Sequence, residues 1–256
     1  MKRFTVVLLV ILLPGLASGQ QLEEQRTSTE NHEVESQSDA IAAIEALGGR
    51  VWNVQDGSIG IRFESDTTDA GLKHLKGLTG LSTLYLRDTR VTDAGLEHLK
   101  GLTSLSELDL INTQVADAGL EHVAGLTSLK HLSLNGTQVS DAGLKHLRIL
   151  TNLLSVNLEM TQITDAGLEQ LSGLKKLRAM NIDLTQISDS GIKHLGGLGE
   201  LESLGLRHTQ VTDAGLRHLK GLSNLQWLRQ LDLTSTQVTD AGLEHLVGLT
   251  ILRSLD

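Results

Sequence analysis

Apolar positions recur in a fixed order along most of the chain. In one unit they are Val91, Leu96, Leu99, Leu102, Leu105, Leu108 and Leu110. The early spacings are close to helical, whereas the last spacing, of two residues, is typical of a strand. The pattern therefore predicts a short helix, a turn and a short strand in each unit.

The word Asp-Ala-Gly-Leu, or a near variant, marks the start of each predicted helix. Its aspartates are Asp69, Asp93, Asp117, Asp141, Asp165, Asp189, Asp213 and Asp240. Successive aspartates are 24 residues apart, except that the last interval is 27 because the stretch 225–231 carries extra residues. One unit is too small to bury its leucines, so we expect the units to stack with parallel strands. Closely spaced strands on one side and bulkier helices on the other predict a curved arc with concave strands and convex helices.

Each helix has a predicted start and stop. In the example unit Thr92 or Asp93 supplies an oxygen for free backbone amides, and the aspartate charge suits the positive helix end. Gly101 is expected to end the helix in the left-handed conformation. The same stop is expected at Gly77, Gly125, Gly173, Gly197, Gly221 and Gly248. Ile149 interrupts this series, which predicts a looser or longer turn there.

The strand region of each unit reads LxxLxLxxT, as in the segment from Leu105 to Thr113, and the helix region reads (T/S)DAGLxxLxxL. Over about residues 59–256 this resembles the leucine-rich-repeat family. The helix start is similar to the cysteine-containing repeats of F-box adaptors, and the exported context is similar to internalin-type bacterial proteins. The resemblance implies an α/β fold, a right-handed leucine-rich-repeat solenoid, and a binding role without a specified partner.

Threonine occupies the position where that family commonly has asparagine or cysteine. The column consists of Thr89, Thr113, Thr137, Thr161, Thr185, Thr209 and Thr236. A hydroxyl can both donate and accept a hydrogen bond. We therefore expect these side chains to bond the turn backbones of adjacent repeats.

The two ends of the chain differ from the repeats. Residues 1–19 combine a basic start, an apolar run and small residues, which predicts a cleaved signal peptide. Residues 20–38 are polar and predict a flexible linker. Residues 39–63 predict an N-terminal cap made of a helix and a β-hairpin, and residues 64–256 predict a solenoid of about eight repeats. The last repeat is incomplete, so we expect either that the gene product is truncated there or that this uncapped edge pairs, for example in self-association.

Composition narrows the range of functions. The chain has no cysteine, which excludes disulfides, thiolate metal sites and a cysteine nucleophile. Its net charge of −9 opposes binding to nucleic acid by bulk charge. We also predict no membrane span after removal of the signal peptide, because the apolar run is too short to cross a bilayer.

Side chains between the strand leucines point to the predicted concave face, because side chains alternate along a strand. Their identity changes between repeats while the leucine frame hardly varies. The candidate ligand-binding residues are Tyr85, Arg87, Glu107, Asp109, His131, Asn135, Asn157, Glu159, Asn181, Asp183, Arg207 and Asp232. The acids outnumber the arginines, so we expect a polar or basic partner. Tyr85 is the one aromatic residue of this set, which disfavours stacking on sugars or bases.

Two patterns could indicate chemistry instead. Histidine recurs once per helix at His74, His98, His122, His146, His194, His218 and His245. One imidazole per repeat does not supply the three or four ligands that zinc needs, so we predict no metal site. Glu107, His131 and Ser155 hold equivalent strand positions in the order of a hydrolase triad. A regular strand offers no strained nucleophile turn or oxyanion hole, so we predict neither a catalytic residue nor an enzyme.

The sequence thus favours an exported binding scaffold, periplasmic, in the cell envelope or secreted. It would recognise a protein or peptide through the concave face without a cofactor. One alternative is a structural or assembly protein of the envelope. Another is a ubiquitin-ligase substrate adaptor, although the chain leaves no room for an F-box before the repeats.

Overall fold

The computed structural model describes residues 37–54, 56–219 and 228–256. The predicted signal peptide, most of the predicted linker and Gly221 lie outside the described residues. Residues 37–46 form helix α1, so the last two positions of the predicted linker are helical. Ala40 and Ile41 from this helix pack against the core, and Ile44 is fully buried in it.

The strands form one continuous sheet in chain order. They are β1 Arg50–Asn53, β2 Ile59–Arg62, β3 Leu81–Tyr85, β4 Glu107–Asp109, β5 His131–Ser133, β6 Ser155–Asn157, β7 Ala179–Asn181, β8 Ser203–Gly205, β9 Gln230–Asp232 and β10 Ser254–Leu255. Strands β1 and β2 pair antiparallel, and the pairs from β2 to β10 are parallel. The predicted stack of parallel strands is confirmed.

Short helices alternate with these strands. The α-helices are α2 Asp69–Leu72, α3 Asp93–Leu96, α4 Gly119–Val123, α5 Asp141–Leu144, α6 Asp165–Leu171, α7 Asp189–Ile192, α8 Asp213–Leu219 and α9 Asp240–Leu243. Several continue as 3₁₀ turns, at Lys73–Leu75, Glu97–Leu99, Lys145–Ile149, Lys193–Gly197 and Glu244–Leu246. The fold is an α/β solenoid of repeated helix–turn–strand units, as predicted.

A single apolar core runs through the stacked repeats. In the unit from Val91 to Val115, all the predicted apolar side chains are at most 1% exposed. Burying a leucine side chain contributes about 2 kcal/mol. Since each repeat shares this core with its neighbours, stability depends on the contacts between repeats.

The aspartate of the Asp-Ala-Gly-Leu word joins its repeat to the next one at seven of the eight positions, from Asp69 to Asp213. Asp141 Oδ1 accepts a hydrogen bond from the Thr164 backbone N–H at 2.7 Å, and its Oδ2 accepts from Thr164 Oγ1 at 2.6 Å. Asp69, Asp117, Asp165, Asp189 and Asp213 make the equivalent pair of bonds. These bonds between consecutive repeats are called the joint here. The sequence predicted only a role for the aspartate at the end of its own helix, and not the joint.

The glycine of the same word makes room for that aspartate. A Cβ built on Gly143 would lie 2.5 Å from Asp117 Oδ1 of the preceding repeat. The corresponding glycines lie equally close to the aspartate before them: Gly95, Gly119, Gly167, Gly191, Gly215 and Gly242. The aspartate of one repeat and the glycine of the next repeat therefore belong to the same joint.

One repeat lacks part of the joint. Ala116 replaces the usual threonine or serine, so Asp93 accepts only from the Ala116 N–H, at 2.7 Å. No side chain caps α4, which starts at Gly119 rather than at the aspartate. In the preceding repeat Thr92 Oγ1 both donates to Asp69 and accepts from the Ala94 N–H.

Ala116→Thr should therefore raise the free energy of unfolding by about 1 kcal/mol, because it restores the cap and the second bond. Urea denaturation measures the change. Ala116→Val has nearly the same shape without the hydroxyl and should bring no such gain. Equal stabilisation by valine would show that the hydroxyl is irrelevant.

Two details of the prediction are wrong. Gly77 and Gly101 take the left-handed conformation, but Gly125, Gly173, Gly197 and Gly248 do not. In those repeats the helix runs on toward the glycine in the right-handed conformation. At Ile149 the 3₁₀ turn is longer than in the unit of Gly101, as expected, but the turn ending at Gly197 is just as long. Isoleucine is therefore not its cause.

The threonine column is the second correction. Thr113 Oγ1 donates to Leu110 O in its own repeat at 2.7 Å, and the other threonines do the same. They do not bond the adjacent repeat. The residue before each threonine is left-handed and turns the chain back toward that carbonyl: Asp88, Asn112, Gly136, Met160, Leu184, His208 and Ser235. Leu184 and Met160 adopt this conformation at a cost, since it favours glycine and asparagine.

Candidate binding face

The side of the sheet opposite the leucine core, called the open face here, presents two rows of side chains in register. The first row is Trp52, Gly60, Thr83, Glu107, His131, Ser155, Ala179, Ser203 and Gln230. The second row is Arg50, Arg62, Tyr85, Asp109, Ser133, Asn157, Asn181, Gly205 and Asp232. The predicted residues Glu107, His131, Tyr85, Asp109, Asn157, Asn181 and Asp232 all belong to these rows. The other predicted residues lie two positions beyond the end of a strand: Arg87, Asn135, Glu159, Asp183 and Arg207.

Several of the predicted residues are only partly exposed, and their side chains also accept hydrogen bonds from the backbone. Asp109 Oδ1 accepts from the Ile111 N–H at 2.9 Å, and Asp232 Oδ1 accepts from the Thr234 N–H at 2.8 Å. Asn157 and Asn181 make the same bond to the residue two positions ahead. These side chains therefore cap the ends of their strands.

Other bonds cross from one repeat to the next. Glu159 Oε2 accepts from Asn135 Nδ2 at 2.8 Å and from Asn181 Nδ2 at 3.3 Å. Tyr85 Oη donates to Glu107 Oε1 at 3.0 Å. The structure thus joins predicted residues of three consecutive repeats into one polar network around Glu159.

Two acids of the face sit where their charge is disfavoured. Burial raises the pKa of Asp109 above its ordinary value, although the hydrogen bond from Ile111 opposes the shift. Burial also raises the pKa of Asp183, and the nearby carboxylates of Asp232 and Glu159 add to the effect. Charged groups held at such a cost are common at functional sites.

A groove of about 560 Å³ runs along the open face from β5 to β10. Its floor is made of small side chains, among them Ser155, Ala179 and Ser203, together with Gly205. Asp183 and Asp232 line it as well. The groove is open and polar, a form suited to an extended partner rather than to a small enclosed substrate.

The expectation of a single aromatic residue on this face is wrong. Trp52 of β1 lies over Gly60, where a Cβ would collide with the indole ring. Its ring stacks on Tyr85 with the centroids 5.7 Å apart. Trp52 belongs to the predicted cap, and the pairing of β2 with β3 brings it onto the open face. The alternation in the segments RVWN and IGIR was the available signal.

The residues that resemble a triad do not form one. Glu107, His131 and Ser155 are neighbours in register. The carboxylate of Glu107 instead accepts from Tyr85, and His131 is exposed. Among the described residues no cluster of three or more histidine, aspartate or glutamate side chains could hold a metal ion.

Comparison with known proteins agrees with this geometry. A family model described as leucine-rich repeat matches residues 125–147, 150–172 and 224–247. The chain therefore contains leucine-rich repeats and has the leucine-rich-repeat fold. No curated protein matches its sequence.

Solved structures extend the comparison. Internalin C2 from Listeria monocytogenes is similar to this leucine-rich-repeat protein at a TM-score of 0.61 and 28% identity, over 78% of this chain and 79% of that chain. Internalin F from the same species aligns at a TM-score of 0.43 and 22% identity, over 76% and 73% of the two chains. In residues 37–54, 56–219 and 228–256 no helix has the length and apolar character required to cross a membrane.

Proposed function

We propose that this leucine-rich-repeat protein is an exported scaffold, without catalysis or cofactor, that binds a protein or peptide through the open face. The observation that carries the proposal is the polar groove along β5 to β10. In β5 to β9 the opposite face of the strands is buried, so the groove is where variable side chains meet solvent.

Two further points support this function. The similarity to internalin C2 covers most of both chains. The acids of the open face, among them the partly buried Asp109 and Asp183, favour a basic or polar partner segment. The predicted signal peptide supports export to the periplasm, the envelope or the medium.

Neutralising two acids tests this proposal. Asp109→Asn with Asp183→Asn keeps the side-chain oxygens that accept from Ile111 and Arg207 but removes both charges. Partner affinity, measured by capture on the purified full chain, should fall about tenfold, since complementary charge is lost.

The matched control changes the same net charge on the helix side. Glu97 and Glu169 are exposed there, and Glu97→Gln with Glu169→Gln should leave capture unchanged. An equal loss in both double variants would mean that the open face has no special role.

A further inference from the structure

The amino-terminal end of the open face differs in charge from the groove. Trp52 and Arg50 of β1, Arg62 of β2 and Tyr85 of β3 are neighbours in the two rows. From β4 onward the same face carries the acids Glu107, Asp109, Glu159, Asp183 and Asp232. The face is therefore richer in arginine and aromatic rings at β1 to β3 and, with Arg207 as a counter-charge, mainly acidic along the rest.

The two arginines stand directly opposite each other. Arg50 and Arg62 are cross-strand partners in the antiparallel pair, an arrangement that is unfavourable for like charges. Arg50 is compensated by Glu64, 3.3 Å away. Arg62 is exposed, and within the described ranges its guanidinium has no hydrogen bond or ion pair. An anion bound at Arg62 would relieve the repulsion.

Trp52 adds a second, independent feature. Its ring is supported by Gly60 on one side and stacks on Tyr85, yet the residue stays only partly buried. Its indole N–H finds no acceptor in the described part of the chain. An unused donor beside an apolar ring suits a ligand that has both a hydrocarbon part and an acceptor.

We propose that Arg62, Trp52 and Tyr85 form a second subsite that binds an acidic peptide segment of the partner. A glutamate side chain fits both features, with its methylenes against the indole ring and its carboxylate on the guanidinium, which can be bonded through two parallel N–H groups. This inference rests on the proposed function. It adds that the partner is acidic where it crosses β1 to β3 and basic over the groove, which fixes its direction.

A labelled hexaglutamate peptide tests the subsite by fluorescence anisotropy with the full chain. Arg62→Gln should raise the dissociation constant about tenfold, because one charged hydrogen-bonded contact is lost. The matched control is Arg148→Gln, which removes an exposed arginine from the helix side and should change nothing. Trp52→Leu should weaken binding as well, and circular dichroism shows whether that variant keeps its fold.

Three results would overturn the subsite. The first is equal weakening by Arg62→Gln and Arg148→Gln, which would indicate bulk charge. The second is displacement of the peptide by inorganic phosphate at the same concentration of negative charge, which would indicate a simple anion site. The third is no peptide binding while partner capture still depends on Asp109 and Asp183, and in that case the proposed function stands without the subsite.

Discussion

Replacing Gly143 with alanine should lower the free energy of unfolding by about 3 kcal/mol. The new Cβ would lie 2.5 Å from Asp117 Oδ1, which accepts from the Ser140 N–H at 2.7 Å. The carboxylate must move away, so the clash also breaks the joint between the two repeats. Urea denaturation followed by circular dichroism measures the loss.

Gly71 provides the matched control. It holds the same position in another copy of the Asp-Ala-Gly-Leu word, but no aspartate of a preceding repeat lies beside it. The closest atom to a Cβ built on Gly71 is Thr67 Cγ2, at 3.1 Å. Since alanine is the better helix former, Gly71→Ala should change stability by no more than about 1 kcal/mol. Asp117→Ala should also reduce the cost of Gly143→Ala, as coupled neighbours do. Equal losses of stability in Gly143→Ala and Gly71→Ala would disprove the joint. So would a double variant in which the losses from Gly143→Ala and Asp117→Ala simply add.

Asp141→Ala is the second large effect, with an expected loss of about 2 kcal/mol. The change leaves the Thr164 N–H without its acceptor at 2.7 Å and removes the bond from Thr164 Oγ1. Thermal and urea unfolding both report the loss.

Asp141→Asn separates hydrogen bonding from charge. Its Oδ1 still accepts from the Thr164 N–H, and the hydroxyl of Thr164 can accept from the new amide. The asparagine variant should therefore keep most of the stability that the alanine variant loses. If asparagine were as damaging as alanine, the joint would depend on charge and not on the pair of bonds.

The sequence was sufficient for the fold because its information is periodic. The leucine spacing predicted the strands, their parallel order and the core. Of the two residues predicted to start the helix, Thr92 caps α3 and Asp93 is its first residue. A repeated pattern constrains each unit in the same way, so one unit read correctly describes its neighbours.

The errors concern contacts between units. The Asp-Ala-Gly-Leu word was assigned to the helix end, whereas Asp69 bonds Thr92 one repeat later. Thr113 was assigned to the neighbouring repeat but bonds its own Leu110. Sequence spacing alone does not show which of two nearby backbones a short polar side chain reaches.

The sequence predicted the residues that the repeats contribute to the candidate face. It did not predict the residues that β1 and β2 contribute. Tyr85, Glu107 and Asp109 appear in register as expected. Trp52 and Arg62 join them only because the hairpin adds to the sheet edge, and this is a tertiary contact that a repeat pattern does not contain.

Site-specific photo-crosslinking tests the central claim, that the open face is the binding surface, most directly. A crosslinking residue at Ser203 on the floor of the groove is compared with one at Lys193 on the helix side, in the full chain produced in its native cells. We predict that one discrete partner is captured from position 203 and not from position 193. Capture of the same partner from position 193 alone, or equally from both positions, would contradict the account.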